Sequence, residues 1–110
     1  MDTLTALLTR TSQGALAEPA PSAAVLNNAF QAALRAPDHR LLRPWRYLVI
    51  EGDARERLGE LFLQAGLQDT PALTEVEQQR LLKMPSRAPM IVVAITVAKD
   101  DPKVPFVEQI

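Results

Sequence analysis

Cysteine is absent from the 110-residue sequence, and histidine occurs once, at His39. The lack of cysteine excludes disulfides, thiolate nucleophiles and cysteine-based metal sites, and it fits a protein of the reducing cytoplasm. With a single histidine, a metal site would need carboxylates from elsewhere in the chain. We therefore expect a cytoplasmic protein without a bound metal.

Glycine is scarce, with four in the chain. There is no Gly-x-Gly-x-x-Gly, no phosphate loop ending in Gly-Lys-Ser/Thr and no Gly-x-Ser-x-Gly elbow. The sequence therefore does not indicate a Rossmann dinucleotide site, a phosphate-loop nucleotidase or a serine hydrolase.

Long hydrophobic runs and a large net charge are also missing. The longest apolar segment, Met90–Ala98, is far shorter than the roughly 20 residues that span a bilayer. The formal net charge of -1 and the aromatic content of 5% disfavour a nucleic-acid surface, which needs cations and stacking platforms. We expect a soluble protein with no membrane and no nucleic-acid partner.

Hydrophobic residues make up 47% of the chain, enough for one domain with a core, residues 1–110. Their periodicity, with the turn residues between them, predicts the order α, α, β, α, α, β. The predicted elements are a helix at Asp2–Arg10, a helix that Ser22 caps at its start and Pro37 terminates, a strand at Trp45–Glu51, a helix from Asp53 to Gly66, a helix at Thr74–Met84 and a strand at Met90–Ala98.

Residue spacing predicts how two of these helices begin and how one ends. Asp53 with Glu56, and Thr74 with Glu77, have the spacing of a capping box, in which a side chain and a backbone N–H bond each other reciprocally. Gly66 is predicted to end its helix in the left-handed conformation.

The strand at Met90–Ala98 is apolar on both faces, which predicts a central strand paired on both edges and covered by helices on either side. Two strands alone make a marginal sheet. The tail Lys103–Ile110 resembles the start of a helix that stops after one turn. We therefore expect a partial domain, either the front of a longer protein or a chain completed by association, which alone exposes apolar surface and self-associates.

A basic loop, residues 35–46, joins the second helix to the first strand. It carries four arginines and the only histidine, and an anionic or planar ligand would suit it. Trp45 and Tyr47 also lie in this region, but on a strand they are better explained as core or interface anchors.

Four short motifs, in this order, carry a resemblance to a known family. They are Arg10-Thr11-Ser12 after the first helix, Arg35-Ala36-Pro37-Asp38-His39, Pro44-Trp45 opening a strand, and Arg87-Ala88-Pro89 before the apolar strand. Together they resemble the FMN-dependent nitroreductases, and more closely the compact bacterial NAD(P)H nitroreductases. The resemblance covers essentially all 110 residues but corresponds to the N-terminal portion of such a protein.

This resemblance implies a fold and an activity. The fold would be α+β, with helices packed on a central, mainly antiparallel sheet that is incomplete in this chain. The protein would be a homodimer with FMN at the interface, passing electrons from NADH or NADPH to nitroaromatic, quinone or similar small-molecule acceptors by a ping-pong route. No general acid or nucleophile is implied, because the flavin would carry the chemistry.

The resemblance places FMN contacts at five positions: Arg10, Thr11, Ser12, Arg35 and His39. An FMN phosphate favours arginine, whose planar guanidinium donates paired hydrogen bonds. Many relatives have a second arginine at the position of Thr11, and an Asn or Ser often precedes the Pro-Trp pair where this chain has Leu41, Leu42 and Arg43.

Simpler explanations remain open at this stage. Arg10 and Arg35 could be solvated partners of helix C-termini, and His39 beside Asp38 could be a surface hydrogen-bonding residue. A different class of function is a non-enzymatic module whose basic loop binds an anionic partner, such as RNA or an acidic protein surface. A truncated chain without activity is a further alternative.

Overall fold

The computed structural model describes residues 1–110 and has an α+β fold, as predicted, with the predicted order of elements. The helices are α1 (Thr3–Thr9), α2 (Ala23–Ala33), α3 (Ala54–Asp69) and α4 (Glu75–Lys83), and the strands are β1 (Trp45–Glu51) and β2 (Met90–Thr96). Short 3-10 turns occur at His39–Leu41, Met84–Arg87 and Phe106–Glu108. The last of these turns is the only helical segment in the tail Lys103–Ile110, which therefore forms a single turn, as predicted.

Three of the helices, α1, α2 and α4, have a side-chain cap at the N-terminus. At α4 the predicted capping box is present: the Thr74 N–H donates to Glu77 Oε2 at 2.8 Å, and the Glu77 N–H donates to Thr74 Oγ1 at 3.4 Å. Asp2 accepts from the Thr5 N–H at 2.9 Å, and Ser22 caps α2. Backbone hydrogen bonds, assisted by the threonine hydroxyls, hold the pKa values of the Asp2 and Glu77 carboxyls below their ordinary values.

The predicted start of α3 at Asp53 is confirmed, but the predicted capping box and the predicted helix end are wrong. Asp53 has helical angles, φ -64° and ψ -19°, and its side chain makes no capping hydrogen bond. A capping side chain needs an extended backbone to reach the first helical N–H groups, so Asp53 and Glu56 form no capping box. The helix also runs past Gly66 to Asp69. Gly66 instead lies inside the helix, where the space of its missing side chain is filled by Leu81.

The sheet is a single antiparallel pair in which Trp45 faces Thr96 and Glu51 faces Met90. The Val97 N–H donates to the Pro44 carbonyl at 2.6 Å and extends the pairing by one bond. The expectation of a central strand paired on both edges and covered on both faces is not met. β2 pairs only with β1, and from Ile91 onward its residues alternate between half-buried and exposed, so one face of the strand is largely open.

Packing is concentrated where α3 contacts α4, the Met84–Arg87 turn and β1. Only six of the 110 residues are buried, among them Ile50 and Val104, although nearly half of the chain is hydrophobic. The radius of gyration is 17.8 Å, against about 13 Å for a compact chain of this length. Much apolar surface therefore remains exposed, including the leucines of α1. None of the helices has the length and apolar character needed to cross a membrane.

Candidate functional site

Asp38 organises the basic loop. Its carboxylate, 3% exposed, accepts a hydrogen bond from the Arg43 backbone N–H at 3.0 Å and another from Arg43 Nη1 at 3.2 Å. A short carboxylate that bonds the backbone a few residues later is a common way to close a turn. The loop is therefore folded back on itself before β1 begins at Trp45.

Three non-glycine residues of the basic loop have positive φ: Arg40 at 63°, Leu41 at 51° and Arg43 at 50°. Non-glycine residues rarely adopt this left-handed conformation, and each such residue costs about 1–3 kcal/mol unless its surroundings hold it there. Strain of this kind is concentrated at ligand-binding and switch segments. The positive φ angles therefore indicate the same loop as a candidate binding segment that its arginines indicated in the sequence.

A second loop, residues 99–109, is closed by one side chain. Gln109 is 6% exposed; its Oε1 accepts from the Lys99 N–H at 2.8 Å, and its Nε2 donates to the carbonyls of Lys99 at 2.9 Å and Val104 at 3.1 Å. Val104, 2% exposed, fills the interior of the loop. Both Nε2 donors and one lone pair of Oε1 are thereby used, which leaves one lone pair of the buried amide unpaired, so the 99–109 loop is an internally bonded unit.

Polar contacts join the 99–109 loop to the basic loop. Each involves a charged or titratable side chain and a partner from the other loop, so the two loops form one polar surface beside the sheet. The contacts are His39 Nδ1 to Glu108 Oε2 at 2.9 Å, Arg40 Nε to Asp101 Oδ2 at 3.3 Å, and Lys99 Nζ to the Leu42 carbonyl oxygen.

All five predicted cofactor-binding residues are exposed. Arg10 is the C-terminal residue that closes α1, and Thr11 and Ser12 follow it; Thr11 Oγ1 accepts from Gln13 Nε2 at 3.0 Å. Arg35 lies in the turn after α2, and its N–H bonds the carbonyl of Ala32 rather than continuing the helix. His39 begins the 3-10 turn of the basic loop.

The structure places these residues in two groups, one after α1 and one in the basic loop, and no hydrogen bond or ion pair joins the groups. Neither Arg10 nor Arg35 has a carboxylate within 4.0 Å. Both guanidinium groups are therefore available to an anion. The donor chemistry fits the phosphate and hydroxyl groups of FMN, whereas a closed cavity that unites all five residues is not present.

An apolar pocket of about 310 Å³ lies next to the basic loop. Its walls come from the end of α2 and the start of β1, namely Phe30, Leu34, Trp45, Arg46 and Tyr47. The rings of Phe30 and Tyr47 stack with their centroids 4.9 Å apart. Trp45 and Tyr47 are therefore packing residues, as their positions on a strand indicated.

Cations also line a cavity of about 160 Å³ at the end of α4, where Arg80, Lys83 and Arg87 meet. The first two occupy the last turn of the helix, where positive side chains interact favourably with its dipole. No group of three or more His, Asp or Glu side chains could hold a metal ion.

The sequence reasoning missed the role of the 99–109 loop. Glu108, Asp101 and Gln109 contact residues far away in the chain or at the other end of their own loop, so they follow no helical or strand period. The sequence contained one weak signal, the presence of three acidic residues (Asp100, Asp101 and Glu108) in a tail that could face a basic loop.

The fold and the site together describe an α+β protein with a cationic loop beside a short antiparallel sheet. Comparison with known proteins identifies its family: residues 8–108 match the model of the nitroreductase family. The chain belongs to this family, which confirms the resemblance carried by the four motifs.

Individual relatives agree with this assignment. The chain is 38% identical over 109 residues to a protein of Escherichia coli K12 named "Putative NAD(P)H nitroreductase YdjA". It is 40% identical over 115 aligned residues to a "Putative NAD(P)H nitroreductase" of Haemophilus influenzae Rd. Each match covers 99% of this chain but 58% and 59% of the respective relative, so the chain spans well under two thirds of the curated relatives it matches.

Proposed function

We propose that this chain is the flavin-binding portion of an FMN-dependent oxidoreductase that passes electrons from NADH or NADPH to nitroaromatic, quinone or similar acceptors by a ping-pong route. The observation that carries the proposal is the family match over residues 8–108, together with relatives whose names specify NAD(P)H nitroreductases. The pair of carboxylate-free arginines at the two motif positions is consistent with it.

Arg10, Thr11, Ser12, Arg35 and His39 would hold the cofactor. Arg10 and Arg35 offer planar donor groups for a phosphate dianion or for the flavin edge that becomes electron-rich on reduction. Thr11 and Ser12 offer hydroxyl and backbone donors, as expected where a short helix ends. FMN itself would supply the redox chemistry, while these side chains would bind, orient and electrostatically stabilise it.

We further propose that the active protein is a homodimer with FMN at the interface. Its support is the large exposed apolar surface: the leucines at positions 4, 7 and 8 of α1 are each at least 66% exposed. Exposed apolar patches of this kind are typical of interaction surfaces.

Sedimentation velocity should detect self-association of the chain. Leu8→Lys should weaken the self-association, and Gln68→Lys on the exposed side of α3 should leave it unchanged. Monodisperse monomers at all concentrations would contradict this.

The alternative of a basic loop that grips an anionic macromolecule is less well supported. Within the loop, Arg40 pairs with Asp101, Arg43 with Asp38, and His39 contacts Glu108. Only Arg35 and Arg46 remain without a carboxylate. Carboxylates already neutralise most of the charge that an acidic partner would need, so a strong, salt-sensitive interaction is not expected.

An absorbance titration with FMN tests the proposed function. The experiment uses the purified chain and, in parallel, a chimera in which the C-terminal remainder of the Escherichia coli relative follows Ile110. Wild-type protein should perturb the visible flavin bands saturably, and Arg10→Ala or Arg35→Ala should weaken binding about tenfold or more, because each removes a charge-assisted bond. Arg80→Ala is the matched control: it removes an exposed arginine outside the site.

The two preparations separate the possible results. Flavin binding by either preparation, if the two site variants weaken it and the control retains it, supports the proposal and justifies measuring NAD(P)H oxidation with a nitroaromatic acceptor. Absence of flavin binding in both preparations would refute it. In that case salt-dependent binding of an acidic polymer would point to the alternative.

A further inference from the structure

The imidazole of His39 contacts a carboxylate from the opposite end of the chain. Its Nδ1 lies 2.9 Å from Oε2 of Glu108, across 69 positions of sequence. Nε2 has no hydrogen-bond partner in the protein. An ionised carboxylate only accepts hydrogen bonds, so in the neutral ring this contact places the proton on Nδ1.

Glu108 is held in place independently of His39. The neighbouring Gln109 is buried and anchors the backbone through three hydrogen bonds to Lys99 and Val104. Glu108 also lies in a 3-10 turn, where its N–H donates to the Pro105 carbonyl at 3.0 Å. The carboxylate is therefore presented from a fixed backbone rather than from a free tail.

The backbone around His39 is also held by the 99–109 loop. Arg40, the next residue, has a φ of 63° and pairs with Asp101 at 3.3 Å, and the ammonium group of Lys99 donates to the Leu42 carbonyl. These contacts stabilise a conformation that Arg40 would otherwise rarely adopt. Both the ring and the backbone of His39 are thus set by the same loop.

The contact between His39 and Glu108 is better suited to positioning the imidazole ring than to stabilising the fold. The side chains of His39 and Glu108 are 56% and 49% exposed, and a polar pair at this exposure contributes little to folding. A contact with little effect on stability can still decide which ring nitrogen carries a proton. Orientation of a histidine through its second nitrogen is a general device in binding sites.

We propose that Glu108 is a positioning residue that fixes His39 in the Nδ1–H tautomer, leaving the Nε2 lone pair to accept a hydrogen bond from a flavin hydroxyl or N–H group. This inference rests on the proposed function for the identity of the ligand. It assigns His39 to the ribityl chain or ring rather than to the phosphate, because a neutral ring that offers a lone pair does not bind an anionic oxygen. The phosphate is left to the arginines.

Because His39 is the only histidine, its state can be read directly in the whole chain. Two-bond ¹H–¹⁵N NMR correlations, recorded well above the ordinary histidine pKa of about 6.5, distinguish the two neutral tautomers. We expect Nδ1–H in the wild type and in Glu108→Gln, whose amide oxygen can still accept. Glu108→Ala should shift the ring towards Nε2–H. Glu60→Ala, which removes an exposed glutamate from α3, is the control and should resemble the wild type.

Flavin affinity provides the second readout, measured on the same two preparations with FMN and with riboflavin, which lacks the phosphate. Glu108→Ala should weaken both ligands by the same factor, about three- to tenfold, as expected for one hydrogen bond. Glu108→Gln should restore most of the affinity, and Glu60→Ala should have no effect. Alanine in place of whichever of Arg10 and Arg35 holds the phosphate should weaken FMN more than riboflavin.

The outcomes separate this inference from the proposed function. An unchanged tautomer in Glu108→Ala, or Nε2–H in the wild type, would overturn the positioning role whatever binds. A changed tautomer with unchanged affinity for both flavins would overturn it while leaving the proposed function intact. If the wild type binds neither flavin, the proposed function fails and the flavin contact of His39 fails with it.

Discussion

Gly59 of α3 lies against the backbone of Leu82 in α4: a methyl group at position 59 would be 2.2 Å from the Leu82 carbonyl oxygen. Backbone cannot move aside as a flexible side chain can, so Gly59→Ala must push the helices apart. Overpacking typically costs about 1–3 kcal/mol, which outweighs the gain in helix propensity of about 1 kcal/mol. The net decrease in the free energy of unfolding, measured in urea, should therefore be about 1 kcal/mol.

Gly66, in the same helix, provides the comparison. A methyl group there would lie 2.6 Å from Cδ1 of Leu81 and 3.2 Å from Cδ1 of Leu73, both of which are ends of flexible side chains. Gly66→Ala should therefore be close to neutral in its effect on stability. The two leucine side chains must rotate slightly to admit the methyl group, and the cost of these rotations offsets part of the gain in helix propensity. A neutral Gly59→Ala would show that α3 and α4 do not approach closely at Gly59, and equal destabilisation by Gly66→Ala would show that Leu81 and Leu73 cannot move aside.

Phe30 and Tyr47 join α2 to the sheet through a stacked pair of rings inclined by 23°. Both are half-buried, so Phe30→Ala should lose apolar contact and the aromatic interaction, about 2 kcal/mol in all. Tyr47→Phe keeps the ring and removes a hydroxyl that bonds no protein group, so it should be neutral. Denaturant unfolding of both variants tests this, and a neutral Phe30→Ala would mean that α2 is not anchored here.

Local signals in the sequence predicted most of the fold. Ser22 and Thr74 cap their helices as expected because the groups they bond lie within three residues. The capping box at Asp53 and the helix end at Gly66 were predicted wrongly because each residue type suits several conformations, and at Gly66 the choice depends on distant packing. Gly66 continues the helix because Leu81 from α4 occupies the space beside it. No pattern in α3 alone contains that information.

The residues of the candidate site also fall into those that local motifs predicted and those that depend on long-range contacts. Arg10 and Arg35 were recognised from motifs, and the structure leaves both guanidinium groups without a carboxylate. Glu108 could not have been found, since its contact with His39 depends on how the 99–109 loop folds back. The apolar character of Met90–Ala98 predicted more neighbours than β2 has here. A hydrophobic sequence shows that a strand would be stabilised by burial, but it does not show which elements are present to bury it.

Gln109 is expected to control the order of the 99–109 loop. Gln109→Ala removes three hydrogen bonds and leaves the Lys99 N–H and two carbonyls without partners in a nearly buried position. Each unsatisfied buried group costs about 1–3 kcal/mol, so local opening should become easier. Hydrogen exchange at the Lys99 amide should accelerate at least tenfold. Gln79→Ala, which removes one exposed bond to Glu75, should leave this amide unchanged.

The capping box of α4 makes stability depend on pH. Hydrogen bonds from the Thr74 backbone N–H and then its hydroxyl lower the pKa of Glu77 from its ordinary value of 4.5. A carboxyl with a depressed pKa in the folded state stabilises fully above its ordinary pKa, and the stabilisation is lost as the pH falls through the folded value. This contribution should therefore be constant near neutral pH, begin to fall near pH 4.5 and decline further as the pH passes through the lowered pKa of Glu77.

Thr74→Ala tests the origin of this pH dependence. It removes the hydroxyl but keeps the backbone N–H, so the pKa of Glu77 should rise only part of the way towards 4.5, as measured by NMR titration of its side chain. Thr74→Ser retains a hydroxyl acceptor and donor and should preserve the lowered pKa, whereas Glu77→Gln should flatten this component of the stability profile between neutral and acidic pH. The amide can still bond the Thr74 N–H but cannot be protonated in this range. A pKa in Thr74→Ala equal to that of the wild type would mean that the hydroxyl does not hold the carboxylate.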